Sequence, residues 1–289
     1  MLSKQQIQKC IIWACEQEVL APKPGNVNGY NDGHNMQVQD FIKSAHAIAP
    51  ALTTEGASVG HRILLAMQAT QQVVNCNTNL GIVLLFSPLC VAIEQCDNFQ
   101  QLDKFLRHTL NNLTIEDAED AYQAIRLAHA GGLGQVEKQD ISQQPTITLL
   151  EAMRTAKDRD TIAAQYLNNY REIIEIGLEN LTISINSGES VEWATTFAYL
   201  CLLSDIEDTL IHRKQGAKTA RIVSEKATYI LDKHSKNNML KELSTELEMW
   251  DKELKGDAIN PGTTADLTAS TLLLRAFQDA FNLTVFRRE

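Results

Sequence analysis

The sequence predicts an all-α protein: one compact multi-helix domain over residues 1–289, packed around a buried central helix. Three observations carry the prediction. Gly and Pro number 14 and 6 in 289 residues, about 5% and 2% where roughly 7% and 5% are usual. So few breakers exclude a turn-rich all-β chain, a collagen-like chain and a disordered linker. Apolar residues recur at helical i, i+3, i+4 spacing along nearly the whole chain. Finally, residues 81–95 are apolar on almost every face, as a helix enclosed on all sides must be.

The elements follow in order. Ser3 and Gln6 form an S-x-x-Q capping box ahead of Ile7, Cys10, Ile11, Ala14 and Cys15, which make one helical stripe. Pro22 and Pro24 end that helix, because the residue before a proline is pushed out of the α region. A Gly-, Asn-, Asp- and Pro-rich loop fills 22–38. Helices are expected at about 40–50 and 57–75, then at 81–95, where Pro88 kinks the helix or marks its start. Thr114 with Asp117 begins another helix, striped by Ile115, Ala118, Tyr122, Ile125 and Ala128 and ended by Gly131, Gly132 and Gly134. After a loop to about 145, helices are expected near 146–157, 159–180, 190–204, 216–234 and 238–254. A loop from Gly256 to Gly262 leads into a last helix at 263–282. Short β-branched or apolar runs at Thr182–Ile185 and Leu283–Phe286 are the only strand candidates. About ten helices and under about 5% strand result, against the roughly 20–25% strand of an average protein.

Composition bounds the function. The net charge is −10, a poor match for a duplex nucleic-acid binder, which needs clustered Lys and Arg on phosphates. The six cysteines, at 10, 15, 76, 90, 96 and 201, form no C-x-x-C pair and no zinc spacing. They read as small packed thiols of a reducing compartment. The longest apolar run, Ile82 to Ile93, is too short to span a bilayer, and no secretory leader pattern begins the chain. A cytoplasmic protein without membrane or nucleic-acid partners is expected. A homodimer is the candidate assembly.

Four polar constellations interrupt the helical pattern. Pro22-Lys23-Pro24-Gly25-Asn26-Val27 is a stiff loop presenting one cation, suited to an anionic ligand or simply ending a helix. Asn75 to Gly81 places Asn77, Thr78 and Asn79 before the buried helix, as caps or as a pocket wall. Lys157-Asp158-Arg159-Asp160 sets two carboxylates about one Arg, able to hold a divalent cation or a pair of hydroxyls, or to lie in solvent as a charged face. The fourth is split. D-I-E-D-T-L-I-H-R-K-Q-G brings Asp208 ahead of Arg213 and Lys214, and N-P-G-T-T-A-D puts Asn260 and Asp266 at the opening of the last helix, where a carboxylate is favoured. The seven His are not at paired ligand spacing, and no Walker, Rossmann or nucleophile-elbow motif is present.

In this order the segments resemble the triphosphoribosyl-dephospho-CoA synthase family from about Glu18 to Ala269. P-K-P-G-N-V at Pro22–Val27 and N-P-G-T-T-A-D-L at Asn260–Leu267 are the most specific parts. D-T-L-I-H-R-K-Q-G at Asp208–Gly216, Phe41–Ala45 and Ala130-Gly131-Gly132-Leu133-Gly134 are also family-like. The N-T-N-L-G segment, where the citrate-lyase branch carries His and Lys, and the D-R-D segment resemble a divergent branch of archaea and methylotrophic bacteria. The resemblance implies an all-α glycosyltransferase that joins ribose C1 of ATP to a hydroxyl of dephospho-CoA and releases adenine. It also implies Mg²⁺ on the polyphosphate. For that chemistry the chain offers Asp160, Asp208 and Asp266 as catalytic carboxylates and Asp158, Asp160 and Asp208 as metal ligands. Lys23, Arg159, Arg213 and Lys214 suit the nucleotide's phosphates; Asn26, Asn77, Thr78, Asn79 and Asn260 suit its sugar or base. Alternative readings are phosphoribosyl transfer to a methanopterin-type cofactor precursor, a Mg-dependent nucleotide or phosphosugar hydrolase or kinase, and a non-catalytic nucleotide-binding protein.

Overall fold

The computed structural model describes residues 1–34, 36–128, 143–234 and 239–286. Among these, fourteen α-helices account for the regular structure: α1 (Lys4–Leu20), α2 (Val38–Leu52), α3 (Val59–Val73), α4 (Leu80–Ile93), α5 (Leu102–Asn111), α6 (Ile115–Leu127), α7 (Leu149–Ala156), α8 (Thr161–Asn168), α9 (Glu179–Asn186), α10 (Val191–Asp205), α11 (Thr209–Gln215), α12 (Ala217–His234), α13 (Ser244–Gly256) and α14 (Gly262–Phe286). Extended pairing among the described residues is confined to two isolated bridges, Asn28–Asn31 and Gly33–Met36. The two strand candidates are corrected: Thr182–Ile185 lies in α9 and Leu283–Phe286 in α14. Neither run has a neighbouring strand to satisfy its backbone groups, so each completes the helix that contains it.

Capping behaves as the sequence predicts. Ser3–Gln6 and Thr114–Asp117 both close reciprocal capping boxes. The stretch before Thr114, to which the patterning above assigns no element, forms α5, burying Leu102, Leu106, Thr109 and Leu110 on one face. The helix expected over 159–180 is broken. α8 stops at Asn168, and Asn169 and Tyr170 both take left-handed conformations. A π-helical turn, Ile173–Leu178, then leads into α9. The glycines 131, 132 and 134, with the Ala130–Gly134 segment, lie outside the described residues.

Helix α4 is enclosed. It packs on α3, α5, α8 and α14, and Val83, Leu84, Leu85 and Phe86 are all buried. Pro88 sits inside it rather than at its start. Proline has no N–H for the carbonyl four residues back, and its ring crowds that carbonyl. The orphaned Leu84 carbonyl accepts instead from Tyr166 Oη at 2.6 Å, and the Leu85 carbonyl from Tyr170 Oη at 2.9 Å. The Tyr166 phenol thus replaces the missing ladder bond, and the two buried phenols together fix α8 and the left-handed turn against α4.

A second apolar cluster joins α10, α11, α12 and α13 through Trp193, Tyr199, Ile211, Val223 and Trp250, while Ala194, Ala198 and Leu202 of α10 belong to the first. The six thiols are free, and burial pushes that of Cys10 up to about 12, in keeping with packed, unreactive groups. No helix of the described residues is long and apolar enough to cross a membrane.

Candidate active site

The starts of α4, α8, α11 and α14 meet the end of α1 and the 22–37 loop around a cavity of about 640 Å³. Hydrogen bonds between the helix starts hold this arrangement. Asp208 caps α11 through Oδ1, which accepts from Leu210 N at 2.9 Å and Ile211 N at 3.0 Å. Its Oδ2 accepts from Thr264 N at 2.7 Å and Thr264 Oγ1 at 2.8 Å, tying α11 to α14. Thr209 adds a second tie, its hydroxyl accepting from Thr161 N of α8 and donating to Thr263 Oγ1 of α14.

The loop that carries Lys23 is fixed by a buried polar network. Asp251 of α13 accepts from Gly25 N, Asn28 Nδ2, Asn31 Nδ2 and Lys255 Nζ. Gly25 has φ +82° and faces Pro261 and Leu254 so closely that a Cβ would meet them at 2.8 and 2.9 Å. Tyr199 Oη donates to the Pro24 carbonyl at 2.8 Å.

The cavity wall has a polar and an apolar part. Asn26, Asp160, Arg159, Arg213, Lys214, Asn260 and Asp266 line the first, together with Glu18, His34 and His212. Phe41, Ile82, Leu84, Ile125, Leu149 and Met153 contribute to the second. Asp160 caps α8 through Oδ1, and its Oδ2 lies 3.5 Å from Arg213 Nη1. Arg213 Nε is buried without a hydrogen-bond partner, a donor left for a ligand. Asn26 Nδ2 donates to Asn260 Oδ1 at 2.9 Å, joining the two most specific sequence segments across the cavity.

Asp266 lies against the start of α4 and accepts a hydrogen bond from Ile82 N. Burial, then the neighbouring carboxylates Glu18, Asp208 and Asp160, hold its carboxyl well above the usual range. Gly81 makes room for it: a Cβ at Gly81 would overlap the Asp266 carboxylate.

The remaining expectations are placed as follows. Asn77, Thr78 and Asn79 line the cavity but are largely engaged. Asn77 Oδ1 accepts from Leu80 N, Thr78 Oγ1 bonds Ser44 Oγ at 2.7 Å, and the Asn79 amide bonds Thr70 Oγ1. Lys23 is corrected as a phosphate ligand. It is fully buried, its ammonium donates to the Glu18 and Val27 carbonyls, and it pairs with Glu18 Oε1 at 3.1 Å. The prolines fix the ammonium inward rather than toward a ligand. The metal trio Asp158, Asp160 and Asp208 does not form. Asp158 is 91% exposed beside Lys157 and does not line the cavity, while Asp208 is closed off by its four donors. Among the described residues no group of three or more His, Cys, Asp or Glu could hold a metal ion.

Glu18 is the wall residue that the motifs missed. Its signal is positional: it extends the buried stripe of Ile11, Ala14 and Cys15 by one more turn, so an acid falls where an apolar residue belongs. Burial raises its carboxyl, opposed by the Lys23 ammonium, which burial in turn lowers.

Residues 4–285 match the family model of ATP:dephospho-CoA triphosphoribosyl transferase. A crystal structure from Archaeoglobus fulgidus, described as a triphosphoribosyl-dephospho-CoA synthase, shares the fold with a TM-score of 0.64 and 27% sequence identity. The alignment covers 81% of this chain and 97% of that one. No curated protein sequence matches the chain.

Proposed function

The chain belongs to the ATP:dephospho-CoA triphosphoribosyl transferase family, and from that premise we propose that the cavity transfers the triphosphoribosyl group of ATP to a hydroxyl of dephospho-CoA and releases adenine. One observation carries the residue assignment: a single cavity holds Arg213, whose buried Nε has no partner, and Asp266, a carboxyl that burial and neighbouring acids push well above the usual range.

In the reaction the acceptor oxygen forms a bond to ribose C1 while the C1–N bond to adenine breaks. The electron pair of that bond leaves on the adenine, which needs a proton. Asp266 supplies it as a general acid, a role that a carboxyl can fill near neutral pH only when its pKa is raised. Arg213, with Arg159 and Lys214 at the rim, holds the triphosphate. These cations reverse, locally, the repulsion expected from a net charge of −10. The apolar wall receives adenine or the acceptor's non-polar portion, and Asn26 with Asn260 orients the sugar.

Mg²⁺ fits this inventory in one way. Magnesium takes one or two carboxylates and completes its shell with substrate phosphate oxygens and water. Asp160 is the cavity carboxylate nearest the phosphate-binding Arg213. Bound there, the ion would neutralise phosphate charge; a dedicated three-ligand protein site is not required.

The test is product analysis by mass spectrometry after incubation with ATP, Mg²⁺ and dephospho-CoA. Free adenine together with an acceptor heavier by one triphosphoribosyl group supports the reading. ADP as the product instead identifies phosphoryl transfer and refutes it.

A further inference from the structure

Glu18 is the wall carboxylate to which the resemblance gives no role. It is only 2% exposed, yet it lines the cavity beside Asp266. Its Oε1 pairs with the Lys23 ammonium at 3.1 Å. Lys23 itself is completely enclosed, anchored by the Glu18 and Val27 carbonyls and by prolines on both sides. The chain therefore holds a fixed positive charge immediately behind a cavity carboxylate. Among the described residues Asp266 forms no ion pair; the groups acting on its carboxyl are the acids Glu18, Asp208 and Asp160 and the Ile82 amide.

Resting on the transfer reaction above, we propose that Glu18 is the catalytic base, taking the proton of the acceptor hydroxyl, and that Lys23 is its positioning residue, holding the carboxyl at the cavity wall. The two carboxyls then divide the proton traffic. The acceptor hydroxyl loses its proton to Glu18 as its oxygen bonds to ribose C1. The C1–N electron pair departs with adenine, and Asp266 delivers a proton to it. After the step Glu18 holds a proton and Asp266 has lost one. Transfer from Glu18 to Asp266, directly or through a water, restores the starting state, and no external acid, base or oxidant is consumed. The asymmetry has a physical source. Both carboxyls are raised by burial, but an ammonium opposes the rise at Glu18 while neighbouring acids add to it at Asp266, so a proton is favoured on Asp266 over Glu18.

The decisive variant replaces both members of the pair, Glu18→Gln with Lys23→Met, so that no buried charge is left alone; neutral replacement of a buried pair is often tolerated by the fold. For a folded double variant the expected result is ATP affinity within about threefold of the wild type and kcat for adenine release lower by about 100-fold or more, the usual scale of general-base loss. A folded double variant whose kcat stays within about fivefold overturns the assignment and makes the pair a structural element. If the double variant does not fold, Glu18→Asp takes over, since it keeps the charge beside Lys23 but withdraws the carboxylate by one methylene. A tenfold or larger fall in kcat at unchanged KM for ATP then supports the base role, and an unchanged kcat overturns it. Wild-type protein that releases no adenine sinks the transfer reading and this proposal together. Wild-type release that the double variant retains sinks only the assignment to Glu18.

Discussion

Replacing Asp208 separates a mechanical role from a metal-binding one. The carboxylate is buried and accepts four donors, two from the start of α11 and two from Thr264 of α14. Asp208→Ala removes an N-cap, costing about 1 kcal/mol. It also leaves the buried Thr264 N–H without an acceptor, costing about 1–3 kcal/mol more. The total of roughly 2–4 kcal/mol corresponds to a fall in Tm of about 3–7 °C for a chain of this size. Asp208→Asn keeps the cap, since Asn caps about as well as Asp. It turns an amide N–H toward Thr264 N–H, however, so it should recover only the capping part of the loss. Tm by differential scanning calorimetry and Mg²⁺ dependence of ATP binding by titration calorimetry read the two roles. The expected result is a graded stability loss, Ala larger than Asn, with the Mg²⁺ dependence of binding retained in whatever fraction is folded. Unchanged stability with abolished Mg²⁺ dependence would refute the latch and return Asp208 to the metal.

Arg213→Met removes a charged hydrogen-bond donor worth about 1.5–3 kcal/mol, so the Kd for ATP should rise about 10- to 100-fold with little change in Tm; equal affinity by titration calorimetry contradicts the phosphate role. Gly81→Ala places a methyl on the Asp266 carboxylate and 2.6 Å from Ile162 Cδ1; adenine release should fall more steeply than ATP binding, and equal loss of both would mean that the cavity, not the acid, was disturbed. Asp266→Asn tests the raised carboxyl. The native group keeps a proton that the unfolded chain releases above about 3.9, so its contribution to stability is full at low pH and is lost as pH rises through the folded value. Denaturant midpoints at pH 5 and pH 8 should therefore fall less in the Asn variant than in the wild type; identical falls would show that Asp266 is ionised in the folded protein.

Much of the fold was legible because its signals are local. The capping boxes at Ser3 and Thr114 and the all-round apolar run of α4 need no tertiary information. The break at Asn169–Tyr170 was not legible. The segment 159–180 has good helical periodicity, and the turn accompanies Tyr166 reaching the Leu84 carbonyl that Pro88, some 80 residues earlier, leaves unpaired, and Tyr170 reaching the adjacent Leu85 carbonyl. The site was legible as a set of segments but not as a set of roles. Asn26 and Asn260 meet across the cavity, as two specific motifs ought to. Sequence could not say which way Lys23 points, because proline flanks fix an ammonium equally well inward or outward. Asp208 and Asp160 look alike in sequence, each an acid ahead of a helix with an Arg nearby. Only the position of Thr264 distinguishes the closed-off acid from the one that keeps an oxygen toward Arg213. Glu18 lacks a motif altogether and is found by asking which acid falls on a buried stripe.

The central claim is that one cavity breaks the C1–N bond of ATP and leaves the triphosphate on the ribose. Mass spectrometry of a reaction containing ATP labelled in the ribose, Mg²⁺ and dephospho-CoA measures this directly. The account predicts unlabelled free adenine and a labelled acceptor carrying the whole triphosphoribosyl group. Labelled ADP, or label remaining with intact adenosine, contradicts it.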